Sequence, residues 1–366
     1  MKPLNLRMER YVLGHTLAGI AATAALLASV VMLINFVDLS RNLGAKTDVG
    51  FLTELGLTIL KSPTVILQLL PFVFLFGVLA AFVTLNRRSE LIAMRAAGVS
   101  AWRFILPAAA AAFVLGLLTI LAFNPLAAGM NSVFENWRAQ VSPQESPSPR
   151  RIWLRQGDPR SQVIIGAAGR GGVGGVSLKD ASLFIYSIGE DGALEFSRRI
   201  EAGQARLMKG YWRLGDASDA TPGSRAMHYR TLSIPSNLDD RTALERYASP
   251  QSISFWTLPR AIARIEEAGF SAVTYRLRLQ QLLAAPVLFA AMAMLAAGFS
   301  LKLSRLGGLT QLAAAGVATG FGFFFFNELC GSLAKADVIP PTVAAWIAPM
   351  VALLSAFTLL FYTEDG

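Results

Sequence analysis

A segment that crosses a bilayer must satisfy its backbone polar groups internally, which for a chain without a barrel pattern means helices of about 20 apolar residues. This sequence has six such stretches, roughly 12–37, 57–85, 102–125, 276–300, 309–333 and 339–362. They fall into two groups of three, separated by a central stretch that holds most of the intervening Arg, Asp and Glu. Only 16% of the 366 residues are charged, against about 25% in an ordinary soluble domain. The pattern predicts an α-helical membrane protein with a 3+3 arrangement and one inserted soluble domain.

The second apolar stretch contains Pro63 and Pro71, which predict a kinked or shortened helix that begins with an interfacial segment. The start of the chain superficially resembles a signal peptide, with Lys2, Arg7 and Arg10 before an apolar run. That run, Tyr11 to Val37, far exceeds a signal peptide's apolar core, so a retained helix is expected.

Short-loop Lys and Arg give the orientation. One face has Lys2, Arg7 and Arg10, then Arg87, Arg88, Arg95 and Arg103 between the second and third helices, then Lys302 and Arg305. On the other face Arg41, Lys46 and Lys61 are offset by Asp38, Asp48 and Glu54, and Lys335 stands beside Asp337. The first face is therefore expected to be cytoplasmic, with both termini on that side and the central domain across the membrane. The net charge of +9 lacks the basic runs interleaved with aromatics that nucleic acid would require, and anionic lipid is the better partner.

The central domain reads as β. Gln162–Ile165, Ser182–Ile188, Tyr211–Gly215 and His228–Ile234 are short, rich in β-branched and aromatic residues, and bounded by Gly, Asp or Pro. A sandwich or jellyroll is expected, with a Ser/Pro-rich linker at Ser142–Pro149, a hairpin loop at Gly169–Gly175, and a helix at Leu258–Gly269. The expected boundaries are 1–125, 126–275 and 276–366, with a short helix near 87–98 in the first.

No catalytic or metal-binding motif emerges. The two histidines, His15 and His228, lie in a membrane helix and a strand, and GxSxG, HExxH and GxxxxGK[ST] are all missing from the sequence. Cys330, the only cysteine, excludes an internal disulfide. Energy from ATP would have to enter through another chain.

The connector Asn86 to Ser100 carries more information. Leu91, Met94 and Arg95 fall at helical spacing, Ser89 is a candidate cap with Glu90 in the first turn, and Gly98 is a candidate stop. Such a helix serves equally as an interfacial tie or as a docking element for another protein. At the end of the first span, Asp38 and Arg41 are one turn apart and suit either a local ion pair or, for Arg41, a lipid phosphate. Asn327 and Glu328 follow the apolar Phe321–Phe326 run, and an ionised carboxylate at membrane depth calls for a polar or protein-lined surrounding.

Arg88-Ser89-Glu90-Leu91 with Ala97-Gly98, Glu9-Arg10-Tyr11 before the first span and Phe36-Val37-Asp38 near its end resemble the LptF/LptG family of lipopolysaccharide export permeases, the last element pointing to the LptG branch. The resemblance covers essentially the whole chain and implies a periplasmic β-jellyroll-like domain between the two helix triplets, in the inner membrane of a Gram-negative bacterium. It implies an ABC transporter that extracts lipopolysaccharide and hands it to a periplasmic bridge, built with an LptF-like permease, two LptB-like ATPase subunits, LptC and LptA-like proteins. ATP and Mg would be used by the ATPase, and this chain would bind no cofactor. By resemblance Arg88, Ser89, Glu90, Leu91, Met94, Arg95 and Gly98 form the ATPase coupling helix, with Glu90 as the acidic contact. Asn35, Asp38, Arg41, Phe72, Phe324 and Glu328 are the lipid-binding and gate candidates, Asn35 standing where the family often has a basic residue, and the first and fifth helices are implied as lateral gates. Two other readings remain: a membrane-embedded lipid-modifying enzyme using Glu328, Asp38 or His15, and a mechanotransmitting ABC subunit, which the 3+3 count disfavours.

Overall fold

The computed structural model describes residues 3–44, 50–141, 152–157, 161–167, 169–170, 177–188, 194–236, 250–267, 271–303 and 309–364. Lys2, Lys46, Asp48, the Ser142–Pro149 linker, Gly171 to Gly175 and Arg305, all used in the sequence reading, lie outside these residues. Two compact units emerge, one formed by the long helices and one by the inserted sheet together with residues 259–272.

Among the described residues six helices are long and apolar enough to cross a bilayer. The expected fold class, six spans arranged 3+3 around an inserted β-jellyroll-like domain, is what the structure shows. The first triplet is α1 (Pro3–Gly44), α2 (Phe51–Arg87) and α4 (Trp102–Leu118), with the short α3 (Glu90–Ala96) between the last two. A π-helical turn, Thr119–Phe123, leads from α4 into α5 (Asn124–Val141). The second triplet is α7 (Val273–Leu303), α8 (Leu309–Lys335) and α9 (Pro341–Glu364), preceded by the short α6 (Leu258–Glu267).

α2 runs unbroken through Pro63 and Pro71, so the expected shortening does not occur. The third span also continues past residue 125. Pro125 has no N–H to give the Leu121 carbonyl four residues back, and Asn-Pro would ordinarily read as a stop. The indole Nε1 of Trp256 donates to that carbonyl at 3.2 Å, and the Asn124 side chain accepts from the Phe255 amide at 2.9 Å. A π-turn at the same place absorbs the misfit, and the helix resumes.

α7 is the most buried span and α1 the least. α7 contributes an unbroken buried run from Ala291 to Ala297 and packs against α2, α4, α8 and α9. Small residues let the helices approach: a Cβ on Gly116 of α4 would sit 2.7 Å from Pro286 Cα, and one on Gly298 would sit 2.7 Å from a Leu359 methyl. α1 lies antiparallel on α2 through Gly19 and Gly77, where a Cβ on Gly19 would come within 2.4 Å of the Gly77 carbonyl oxygen.

Among the described residues the inserted unit holds one antiparallel sheet of seven strands: β1 (Ile152–Gly157), β2 (Ser161–Ala167), β3 (Gly169–Arg170), β4 (Ser177–Ile188), β5 (Leu194–Met208), β6 (Tyr211–Ala220) and β7 (Met227–Pro235). The order is β1-β2-β4-β5-β6-β7, with β3 also paired to β4. Apolar side chains alternate onto one inner face, but the alternation slips by one residue in each of three neighbouring strands. It runs Leu178 then Ala181 in β4, Ala202 then Ala205 in β5, and Leu214 then Ala217 in β6. The skipped residues, Asp180, Gly203 and Asp216, align across the ladder, and both aspartates have left-handed φ values of 48° and 50°. This row is a crease that bends the sheet while returning both halves of each strand to the same inner face.

The bend brings the two edge strands together. Gln156 of β1, buried, donates to the Pro235 carbonyl of β7 at 3.1 Å, and its own amide oxygen accepts from Trp212 Nε1 at 3.0 Å and from Ser236 Oγ at 2.7 Å. The sheet is therefore rolled around Trp212, Ile165, Leu183 and Ile200, all fully buried.

Candidate functional site

The connector between α2 and α4 is fixed by backbone geometry at both ends. Ser89 takes a left-handed conformation, φ 58°, and makes no side-chain capping bond, so the expected cap is replaced by a sharp turn that redirects the chain out of α2. α3 then ends at Gly98, φ 80°, where the Val99 amide bonds the Met94 carbonyl and the Gly98 amide bonds the Arg95 carbonyl. This paired closure is a Schellman ending and needs the left-handed residue that Gly98 supplies.

Within these two turns of helix, Leu91 is buried in the core shared with Phe82, Phe104 and Val12, and Met94 packs against the same cluster. Arg88, Ile92 and Ala93 are exposed, as is Gly98. Glu90 lies between these faces. Its Oε1 accepts from the Tyr11 hydroxyl of α1 at 3.1 Å, whereas its Oε2 is buried and takes no hydrogen bond among the described residues.

The candidate residues on the far third of α1 separate by face. Asn35 is buried and donates to Ser62 Oγ of α2 at 3.2 Å; Ser62 in turn donates to the Thr58 carbonyl, giving a polar seam between the helices. Asp38 pairs across the helices with Lys61 Nζ at 3.1 Å, a partner that the one-turn spacing to Arg41 did not point to. Arg41 is exposed. Leu39, Leu57 and Phe134 form a small core beside these polar groups.

Phe72 and Phe324, distant in sequence, do meet. Their ring centroids are 5.7 Å apart, and Phe72 also lies 5.6 Å from Phe321 and 6.3 Å from Phe76, joining α2 to α8 by an aromatic cluster. Gly320 makes room for it, since a Cβ there would stand 3.1 Å from the Phe72 ring. Glu328, one turn beyond Phe324, is largely exposed and 4.0 Å from Lys335, the basic residue of the last turn of α8. Phe321, Phe325 and Leu329 extend an exposed apolar face along the same helix.

A family profile described as lipopolysaccharide export system permease LptF/LptG matches residues 10–362, from the α1 residue before Tyr11 to the last turn of α9. The chain belongs to the LptF/LptG family. It is similar to the lipopolysaccharide export system permease protein LptG of Escherichia coli strain K12, with 25% identity over 98% of this chain and 99% of the relative. LptG of the E. coli O6:H1 strain CFT073 matches to the same extent. The chain is thus a family permease for lipopolysaccharide export, as the sequence motifs led one to expect.

Reading the sequence of this LptF/LptG family member without coordinates misses three residues. Tyr11 belongs to a quoted motif, but its bond to Glu90 joins positions 79 apart. Lys61 reads as a loop charge and instead lies on α2 facing Asp38. Trp256 carries no sequence signal for its carbonyl partner; the hint is on the other side, in the N–H that Pro125 lacks.

Proposed function

We propose that this chain is the LptG-like permease subunit of an ATP-driven exporter in the inner membrane, with both termini and α3 cytoplasmic and the β-domain periplasmic. It would work with an LptF-like permease and two LptB-like ATPase subunits that bind and hydrolyse ATP with Mg. Lipopolysaccharide would leave the membrane toward LptC and LptA-like proteins.

The observation that carries this reading is the division of α3 into two faces. Leu91 and Met94 anchor the helix to the membrane core, and Ile92 and Ala93, with Arg88 just before the helix, remain open for a docked protein. A helix serving only as an interfacial tie would have no use for a carboxylate oxygen held in a buried position without a donor. Glu90 Oε2 has that position, and a basic side chain from the ATPase would satisfy it.

The low burial of α1 and α8, whose outward faces display Leu26, Leu33, Ile34, Phe321 and Phe325, leaves both helices open to a second permease. Together the two permeases enclose an apolar cavity for acyl chains, lined on this side by Phe72 and Phe324. Arg41, exposed at the far end of α1, supplies a planar donor for a lipid phosphate, and Glu328 with Lys335 marks the same level on α8. Asn35 supports the cavity wall through Ser62. The β-domain continues the path by adding an edge strand to the folds of its partners.

The test is affinity purification of the tagged chain in mild detergent. The wild type should bring down an ATPase and a second six-span permease, and Glu90→Lys should lose the ATPase or hydrolyse ATP without moving lipid. Purification as a solitary chain from several detergents would refute the proposal.

A further inference from the structure

Tyr11 is part of the Glu9-Arg10-Tyr11 motif, and nothing proposed above uses it. Its hydroxyl nevertheless links α1 to α3, donating to Glu90 Oε1 at 3.1 Å. We infer that Tyr11 is a positioning residue: it holds the Glu90 carboxylate with one oxygen occupied and the other presented to a cationic group of the ATPase, and it transmits displacement of α3 to α1. This inference rests on the reading of α3 as the docking element.

Three features support it. First, left-handed turns at Ser89 and Gly98 bound α3 and fix its direction relative to α2 and α4, so the short helix is set off as a distinct unit between two sharp corners. Second, its attachments to the membrane helices differ in kind. The Leu91 and Met94 contacts are apolar and non-directional, whereas a phenol donating to a carboxylate is directional and charge-assisted, and fixes where Glu90 goes. Third, within this chain α1 packs mainly on α2, so a displacement delivered at Tyr11 is carried along a single helix pair. Its close approach to α2 at Gly19 provides a fulcrum, with Tyr11 on one side and Arg41 on the other.

The surroundings of Tyr11 allow a clean substitution. Its ring lies 4.4 Å from that of His15, whose Nδ1 is 3.1 Å from the Tyr11 carbonyl, so Tyr11→Phe keeps the ring and removes only the hydroxyl. The experiment uses the full chain in its complex with the partner permease and ATPase, reconstituted in proteoliposomes. Lipopolysaccharide passed to an acceptor is measured per ATP hydrolysed. Loss of one hydrogen bond to a charged group can change an equilibrium by roughly tenfold or more, and Tyr11→Phe is expected to lower lipid moved per ATP by roughly threefold or more. A smaller change overturns the inference.

Glu90→Gln and the double variant show whether Tyr11 acts through Glu90. The double variant should be no worse than Glu90→Gln alone, and losses that multiply would overturn the link. Glu90→Lys separates the two levels of argument. If it leaves docking and lipid movement intact, the reading of α3 fails; if it uncouples them while Tyr11→Phe does not, the role of Tyr11 alone fails.

Discussion

The crossing of α1 and α2 yields a prediction whose size follows from two distances. A Cβ placed on Gly19 would lie 2.4 Å from the Gly77 oxygen, and ordinary contact begins at 3.4 Å, so α1 must back away by about 1.0 Å. The obstacle is backbone and cannot rotate aside. A gap of that size forfeits a quarter to a half of the dispersion energy along the seam, and overpacking of this kind costs about 1–3 kcal/mol. Gly14, on the same helix, is the control, because a Cβ there meets nothing within 4 Å. Both Gly→Ala changes gain the same helix preference of about 1 kcal/mol, so their difference isolates the crossing. Gly19→Ala should therefore be less stable than Gly14→Ala by about 1–3 kcal/mol, measured by unfolding the full chain in mixed micelles of rising SDS fraction. Gly19→Ala with Gly77→Ala should fall short of the sum of the single effects, since both act at one contact. Equal stability of Gly14→Ala and Gly19→Ala would refute the close crossing.

Three further predictions concern other parts of the chain. Gln156→Leu leaves Trp212 Nε1 and Ser236 Oγ without their acceptor and should destabilise the rolled sheet by about 2–5 kcal/mol, seen as faster amide exchange in β1 and β7 of the full chain. Asp216→Val puts a β-branched residue at a left-handed position and should cost about 1–2 kcal/mol in thermal unfolding, whereas Asp216→Gly should be neutral or stabilising. Trp256→Phe keeps the ring but abandons the Leu121 carbonyl; a loss of about 0.5–1.5 kcal/mol is expected, with faster exchange around the π-turn, and unchanged exchange there would count against the bond.

How much of this was legible in the sequence depended on the range of the interaction. The six spans could be read because each is a property of about 20 consecutive residues. Gly98 could be read as a stop because a left-handed C-terminal position is a local demand. Ser89 misled for a related reason: Ser-Glu before an apolar residue is a common cap signature, yet here the chain must turn sharply out of α2, and that demand overrode the cap. The continuation of the third span beyond Pro125 was hidden because the donor that repairs it, Trp256, is 135 residues from Leu121. Spacing offered Arg41 as one possible partner for Asp38, and the antiparallel packing of α1 on α2 brings Lys61 to it instead of leaving the pairing local. Periodicity found four strands and passed over β5, a long strand whose five charged residues obscure its apolar alternation.

The central place of α7 has a consequence for biosynthesis. The first three helices enter the bilayer well before α7 has been made, and the surfaces of α2 and α4 that will meet it, including Gly116 and Phe74, have until then no protein to cover them. The inserted sheet is under no such delay, because Gln156 finds all its partners by residue 236. The soluble domain can therefore close while the membrane domain is still half built, and an insertase or lipid must shelter the waiting seam until Pro286 and Phe289 arrive.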